Sequence, residues 1–139
     1  MNSRLILYPV LVQVFLTMAV YVQLNFAKLR ALRRGEVDLA RRALHDDAWP
    51  DGVIKINNNI RNQFEVPVLF YVLCFAFVVL DAVTMPALVL AWLFAASRVA
   101  HAYAHVGPNY VPVRRRVFML GCVVVVAMAL LALYELLRR

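Results

Sequence analysis

Apolar positions arrive along this chain in long blocks, and polar positions collect between them. Leu5 to Ala27 runs 23 residues without a charge, and Val117 to Tyr134 runs another 18. Between them, Val66 to Leu80 and Thr84 to Ser97 are apolar stretches separated by Asp81. A hydrocarbon core about 30 Å thick needs roughly 20 helical residues. The outer blocks therefore span alone, and the middle two draw on polar residues at their ends. One tilted helix over 66–97 would bury Asp81 and Pro86 near the midplane. Proline costs a helix interior about 3 kcal/mol, and a central Asp costs about as much again on insertion scales, roughly 3 kcal/mol. A turn at Asp81–Met85 avoids both penalties. The pattern predicts an all-α integral membrane four-helix bundle, a single domain over 1–139. Its spans fall at about 5–28, 55–80, 84–106 and 113–137.

Composition sharpens this picture. The chain is 64% apolar with a mean hydropathy of +0.73, which excludes an ordinary soluble domain. The first apolar block is too long for a cleavable leader and is followed by basic residues where a cleavage site would need small ones. Cys74 and Cys122 lie inside apolar blocks and are expected to be inert small hydrophobes. Eleven basic residues fall on one side of the four spans: Lys28, Arg30, Arg33, Arg34, Arg41, Arg42, Lys55, Arg61 and Arg114 to Arg116. Three, Arg4, Arg138 and Arg139, fall on the other. The positive-inside rule then puts both termini outside the cytoplasm. The net charge of +7 follows from that topology and from lipid headgroups, and implies no nucleic-acid partner. The cytoplasmic loop, about 29–54, is the only long connection. Gly35 before it and "WPDG" after it frame a short helix predicted around Val37 to Leu44.

The second span begins in unusually polar sequence, "NNNIRNQFEVPVLFY" over 57–71. Carried back in helical phase from Val66, Asn58, Arg61, Asn62 and Glu65 fall at i, i+3, i+4 and i+7, one face of a helix, with Ile60, Phe64 and Val68 on an adjacent strip. At the same end of the third span, Arg98, His101 and His105 stand at i, i+3 and i+7. "GPNYVPVRRR" then returns three arginines to that end. Ionisable groups at membrane depth face a bundle interior or a water-filled cavity. Arg61 with Glu65 as a simple intrahelical pair, and Arg98 as a snorkelling side chain, are the bland alternatives. Taken together, cations, one carboxylate, amides and imidazoles suit a small zwitterion with carboxylates and an ammonium group. No Cys/His metal spacing, phosphate loop or serine elbow occurs, so no metal site is expected.

"RNQFEVPVLFY" and "RVAHAYAHVGPNYVPVR" resemble the MAPEG family, the membrane-associated proteins of eicosanoid and glutathione metabolism, and a bacterial-type member in particular. The resemblance covers most of the chain. It implies a homotrimer of four-helix subunits, with glutathione as co-substrate held between neighbours near the cytoplasmic face. It also implies a small lipophilic substrate arriving from the membrane lipids. Residue by residue, it places Arg61, Asn62 and Glu65 on glutathione contacts of the second helix, and Arg98 and His101 on polar positions of the third. Arg114 falls on the arginine that holds the sulfur as thiolate. Two ligand-contact positions depart from the family pattern: Asn58 stands where members carry another arginine, and His105 where they carry a tyrosine. Pro67 also comes slightly early after the glutamate.

Three function classes follow. The first is a glutathione-dependent transferase or peroxidase acting on lipophilic electrophiles. The second is a non-catalytic homologue that binds a ligand or lipid. The third is a small four-helix transporter, disfavoured because the first span offers only Gln13, Gln23 and Asn25, without a carboxylate.

Overall fold

The computed structural model describes residues 2–107 and 109–138. Pro108 of the predicted turn and the basic Arg139 lie outside them, as does Met1. Every regular element among the described residues is helical. A short 3-10 turn, Ser3–Ile6, leads into α1 (Leu7–Arg33), followed by α2 (Asp51–Gln63), α3 (Val66–Val79), α4 (Met85–Val106) and α5 (Val111–Leu137). Four stretches are long and apolar enough to cross a membrane: Ser3–Arg33, Asp51–Val79, Met85–Val106 and Val111–Leu137.

Local chemistry sets the helix ends. α1 closes on Gly35 at φ +68°, where the Glu36 amide returns to the Ala31 carbonyl and the Gly35 amide to that of Leu32. This is the paired bond of a left-handed helix stop, which glycine adopts without a Cβ penalty. α3 ends the same way on Asp81 at φ +44°, with Ala82 bonded back to Phe77. Pro67, Pro86 and Pro112 sit in the first turns of α3, α4 and α5, where a missing N–H costs nothing.

Two apolar clusters hold the bundle. One joins α3, α4 and α5 around Phe70, Phe77, Phe94 and Met128, with Phe70 and Phe94 stacked 4.4 Å apart. The other packs the basic end of α1 against α2 through Val20, Leu24, Val53, Ile56 and Ile60. Large apolar side chains such as Phe15, Phe26, Phe75 and Leu130 point outward, as they must in a helix whose surroundings are lipid. α4 and α5 approach closely at Gly121, where a Cβ would lie 3.2 Å from Ser97 Oγ.

Two local expectations fail. No helix forms over Val37 to Leu44: that stretch is turns, followed by a 3-10 turn at Asp46–Ala48. The Asp38 carboxylate accepts from the Ala40 and Arg41 amides and starts one turn. Leu39 and Leu44 are exposed, so nothing packs against that turn to propagate it. The second span is also not one continuous helix. It breaks at Phe64 and Glu65, where Glu65 adopts φ −94° and ψ −101°. Pro67 has no N–H to give Gln63, and its ring would clash with that carbonyl, so α2 ends there.

Candidate functional site

The break redistributes the polar residues of 57–65. α2 buries Val53, Ile56, Asn59, Ile60 and Gln63, and turns Asn58 and Asn62 to half-buried positions. Arg61 points outward and pairs with Asp46 of the long loop, whose other carboxylate oxygen lies 3.5 Å from the Asn57 amide. Glu65 falls beyond the break, exposed and out of phase with Arg61. Of the predicted face, Asn58, Arg61 and Asn62 stay together on α2, and Glu65 leaves it at the break. The Ile60, Phe64 and Val68 strip divides too: Ile60 is buried, while Phe64 and Val68 are exposed.

What does converge is Asn62 with α4. Arg98 is only 1% exposed, and its Nη2 donates to the Asn62 carbonyl at 2.9 Å. The Asn62 amide nitrogen lies 3.3 Å from His105 Nδ1. An amide nitrogen can only donate, so His105 Nδ1 accepts in this contact when the imidazole proton sits on Nε2. His101, also buried, stands edge-on to His105 at 5.5 Å and lies 5.6 Å from the Phe118 ring of α5. The same ring lies 5.7 Å from the Arg98 guanidinium carbon, a cation–π distance. Glu65 and Cys122 are within Coulombic reach of Arg98, and Arg114 is within reach of both histidines. Arg114 is half-buried in the first turn of α5 and donates to Asn109 Oδ1 at 2.7 Å. Arg115 and Arg116 are exposed.

The cluster is under-bonded. Arg98 Nε and His101 Nδ1 are buried without a hydrogen-bond partner among the described residues. A buried cation with one neutral acceptor is costly, because its lost hydration is only partly replaced. An anion that supplies the missing acceptors converts that cost into charge-assisted hydrogen bonds. The chemistry on offer is anion capture and stabilisation. Among the described residues, no three His, Cys, Asp or Glu side chains lie close enough to hold a metal.

Sequence reasoning missed a second polar element. Gln13 Nε2 donates to Gln63 Oε1 at 2.7 Å, and Gln63 Nε2 donates to Asn59 Oδ1 at 3.1 Å, all three side chains buried between α1 and α2. A signal was present: Asn59 and Gln63 fall on the face that carries Val53, Ile56 and Ile60. The loop carboxylate of Asp46 and the aromatic wall of Phe118 were missed as well, and nothing in their local spacing announces either.

The family model for the MAPEG family matches residues 6–134. No curated protein and no solved structure matches the chain.

Proposed function

Because this chain belongs to the MAPEG family, we propose that it is a glutathione-dependent transferase or peroxidase acting on lipophilic electrophiles within the membrane. The observation that carries this reading is the buried, under-bonded Arg98–His101 cluster with Arg114 beside it. Glutathione is an anion with two carboxylates and a thiol, and these cations and imidazoles match that set in kind. In this proposal Asn62, Arg98, His101 and His105 line the ligand site. Asn58, Arg61 and Glu65 form its rim, with Arg61 exchanging Asp46 for a ligand carboxylate. The ligand site lies between subunits of a homotrimer, near the cytoplasmic face.

Glutathione supplies the nucleophilic sulfur, and the chain supplies positive charge. A free thiol has a pKa of about 8.5 and is mostly protonated at neutral pH. Lowering it by about two units takes roughly 2.7 kcal/mol in favour of the thiolate. One guanidinium about 4 Å away in a partly screened site supplies about 4 kcal/mol. Arg114 alone is therefore sufficient, with no protein nucleophile in the reaction. Arg98 orders Asn62, and through it His105, as the polar wall.

A non-catalytic ligand-binding homologue is the second reading, favoured by the Arg61–Asp46 pair and by Asn58 in an arginine's place. Calorimetric titration of the detergent-purified protein with glutathione, followed by thiol conjugation to a generic aromatic electrophile, separates the two. Binding with turnover is expected. Binding without turnover selects the second reading, and absence of binding removes the first and leaves the second only with a ligand other than glutathione.

A further inference from the structure

α4 also packs beside α1. At 100° per residue, Tyr103 lies opposite Arg98, His101 and His105, and Val99 and Val106 lie beside Tyr103. On that side three hollows run end to end. The first, about 350 Å³, sits at the basic end and is lined by Arg30, Arg34, Glu36 and apolar side chains of α1 and α2. It shares Val106 with a second of about 470 Å³, lined by Asn59, Gln23, Leu16 and Val20. Val99 and Tyr103 join that one to a third of about 540 Å³, whose lining is almost wholly apolar and ends at Val12 and Trp92.

We propose that this groove between α1 and α4 is a binding site for one anionic membrane phospholipid, separate from the Arg98 cluster. Three observations select that occupant. Charge comes first: Arg30 and Arg34 lie at the mouth, and Glu36, 3.9 Å from Arg34, offsets only one of them. Second, Asn59 lines the trench fully buried, and its Nδ2 has no partner among the described residues. A donor at that depth matches the ester carbonyl of a lipid, with Gln23 beside it. Third, length fits. From Arg30 to Val12 is eighteen residues of α1, about 27 Å of rise, enough to take the whole depth of one leaflet. One leaflet, headgroups included, is about 20–22 Å thick. The phosphate therefore sits at the arginines, the ester at Asn59, and an acyl chain runs past Val99 toward Trp92.

The test is native mass spectrometry of the full chain in mild detergent. The protein is offered phosphatidylglycerol and phosphatidylcholine with identical acyl chains. The parent should retain phosphatidylglycerol preferentially. A basic residue near the lipid surface contributes about 1 kcal/mol, roughly fivefold, so R30Q/R34Q should lower that preference by more than tenfold. R33Q/R42Q removes the same charge outside the groove and should leave the preference within about twofold of the parent, since surface charge acts weakly at a distance. Val99→Phe, at a lipid-facing position, should reduce retention of both lipids without touching charge. Excess glycerol phosphate should fail to displace the bound lipid. No preference in the parent, equal effects of the two double variants, or full displacement by glycerol phosphate overturns the proposal. A changed subunit count in Val99→Phe, with lipid retention intact, assigns the groove to a second copy of the chain and overturns it too.

Discussion

Replacing Gln63 by Leu tests how the basic end of the bundle is held. Gln63 is the middle of the three-amide chain, 1% exposed between two side chains that are fully buried. It accepts from Gln13 at 2.7 Å and donates to Asn59 at 3.1 Å. Removing it newly orphans Gln13 Nε2 and Asn59 Oδ1. Each buried orphan costs about 1–3 kcal/mol in a protein interior. Polar pairs inside membranes average nearer 0.6 kcal/mol, because the unfolded chain in lipid also finds partners. The single variant should therefore lose about 1–4 kcal/mol. Q13L/N59L/Q63L removes every side-chain polar group of the chain, and should be less destabilised than Gln63→Leu alone, since replacing all partners with apolar groups of similar shape can be nearly neutral. Reversible unfolding in detergent, followed by circular dichroism, measures both. A triple variant that loses the sum of its three single losses would mean the amides are independent, and the chain would then not be a unit.

Four further outcomes follow. Arg114→Leu should keep much of the glutathione affinity but abolish the ultraviolet thiolate band of the bound ligand, whereas Arg61→Leu should weaken binding by about 1.5–3 kcal/mol and keep the band at saturation. An unchanged band in Arg114→Leu, with equal affinity losses in both, removes Arg114 from the chemistry. A C-terminal reporter active only in the cytoplasm should stay silent, and a strong signal reverses the orientation drawn from the eleven-to-three basic bias. Native mass spectrometry should show three chains, and a monomer that still binds glutathione refutes a site between subunits. Gly121→Val should destabilise by about 1–3 kcal/mol, the usual cost of overpacking, because even a Cβ there meets Ser97 Oγ at 3.2 Å; a neutral result means α4 and α5 yield at that crossing.

Four spans were legible because each rests on a property of composition alone: length without charge, interrupted at Asp81 and at the basic loop. The candidate site was legible only in part. Arg98, His101 and His105 share a face in the structure because α4 is unbroken there, so helical phase carried them correctly. Glu65 was misplaced because helical phase was carried through the break at Phe64 and Glu65, whereas Arg61 keeps its phase with Asn58 and Asn62 and turns to Asp46 of the loop. The short loop helix failed for a different reason. Its residues can turn, but Leu39 and Leu44 find no surface to cover, and propensity without burial does not sustain a helix. Asn59 and Gln63 were overlooked because polar residues were assigned to a polar face. Their helix in fact buries amides in register with Val53, Ile56 and Ile60, which is affordable only because Gln13 meets them from α1.

The proline that spoiled the helical phase also helps explain the cluster. In a continuous helix the Val66 amide would return to the Asn62 carbonyl. With α2 stopped at Gln63, that carbonyl is one of the orphan acceptors of a helix C-terminus, where the backbone dipole also favours a cation. Arg98 Nη2 takes this carbonyl. A guanidinium that could not otherwise be buried so deeply is thereby fixed, and the Asn62 side chain, held at the same point, meets His105. Pro67 touches none of these groups in the hydrogen-bond pattern, yet without it the acceptor that anchors Arg98 would be spent inside the helix. The polarity of 57–65 and the early proline belong to one arrangement: the break releases backbone chemistry at the mouth of the span, and the buried arginine of α4 uses it.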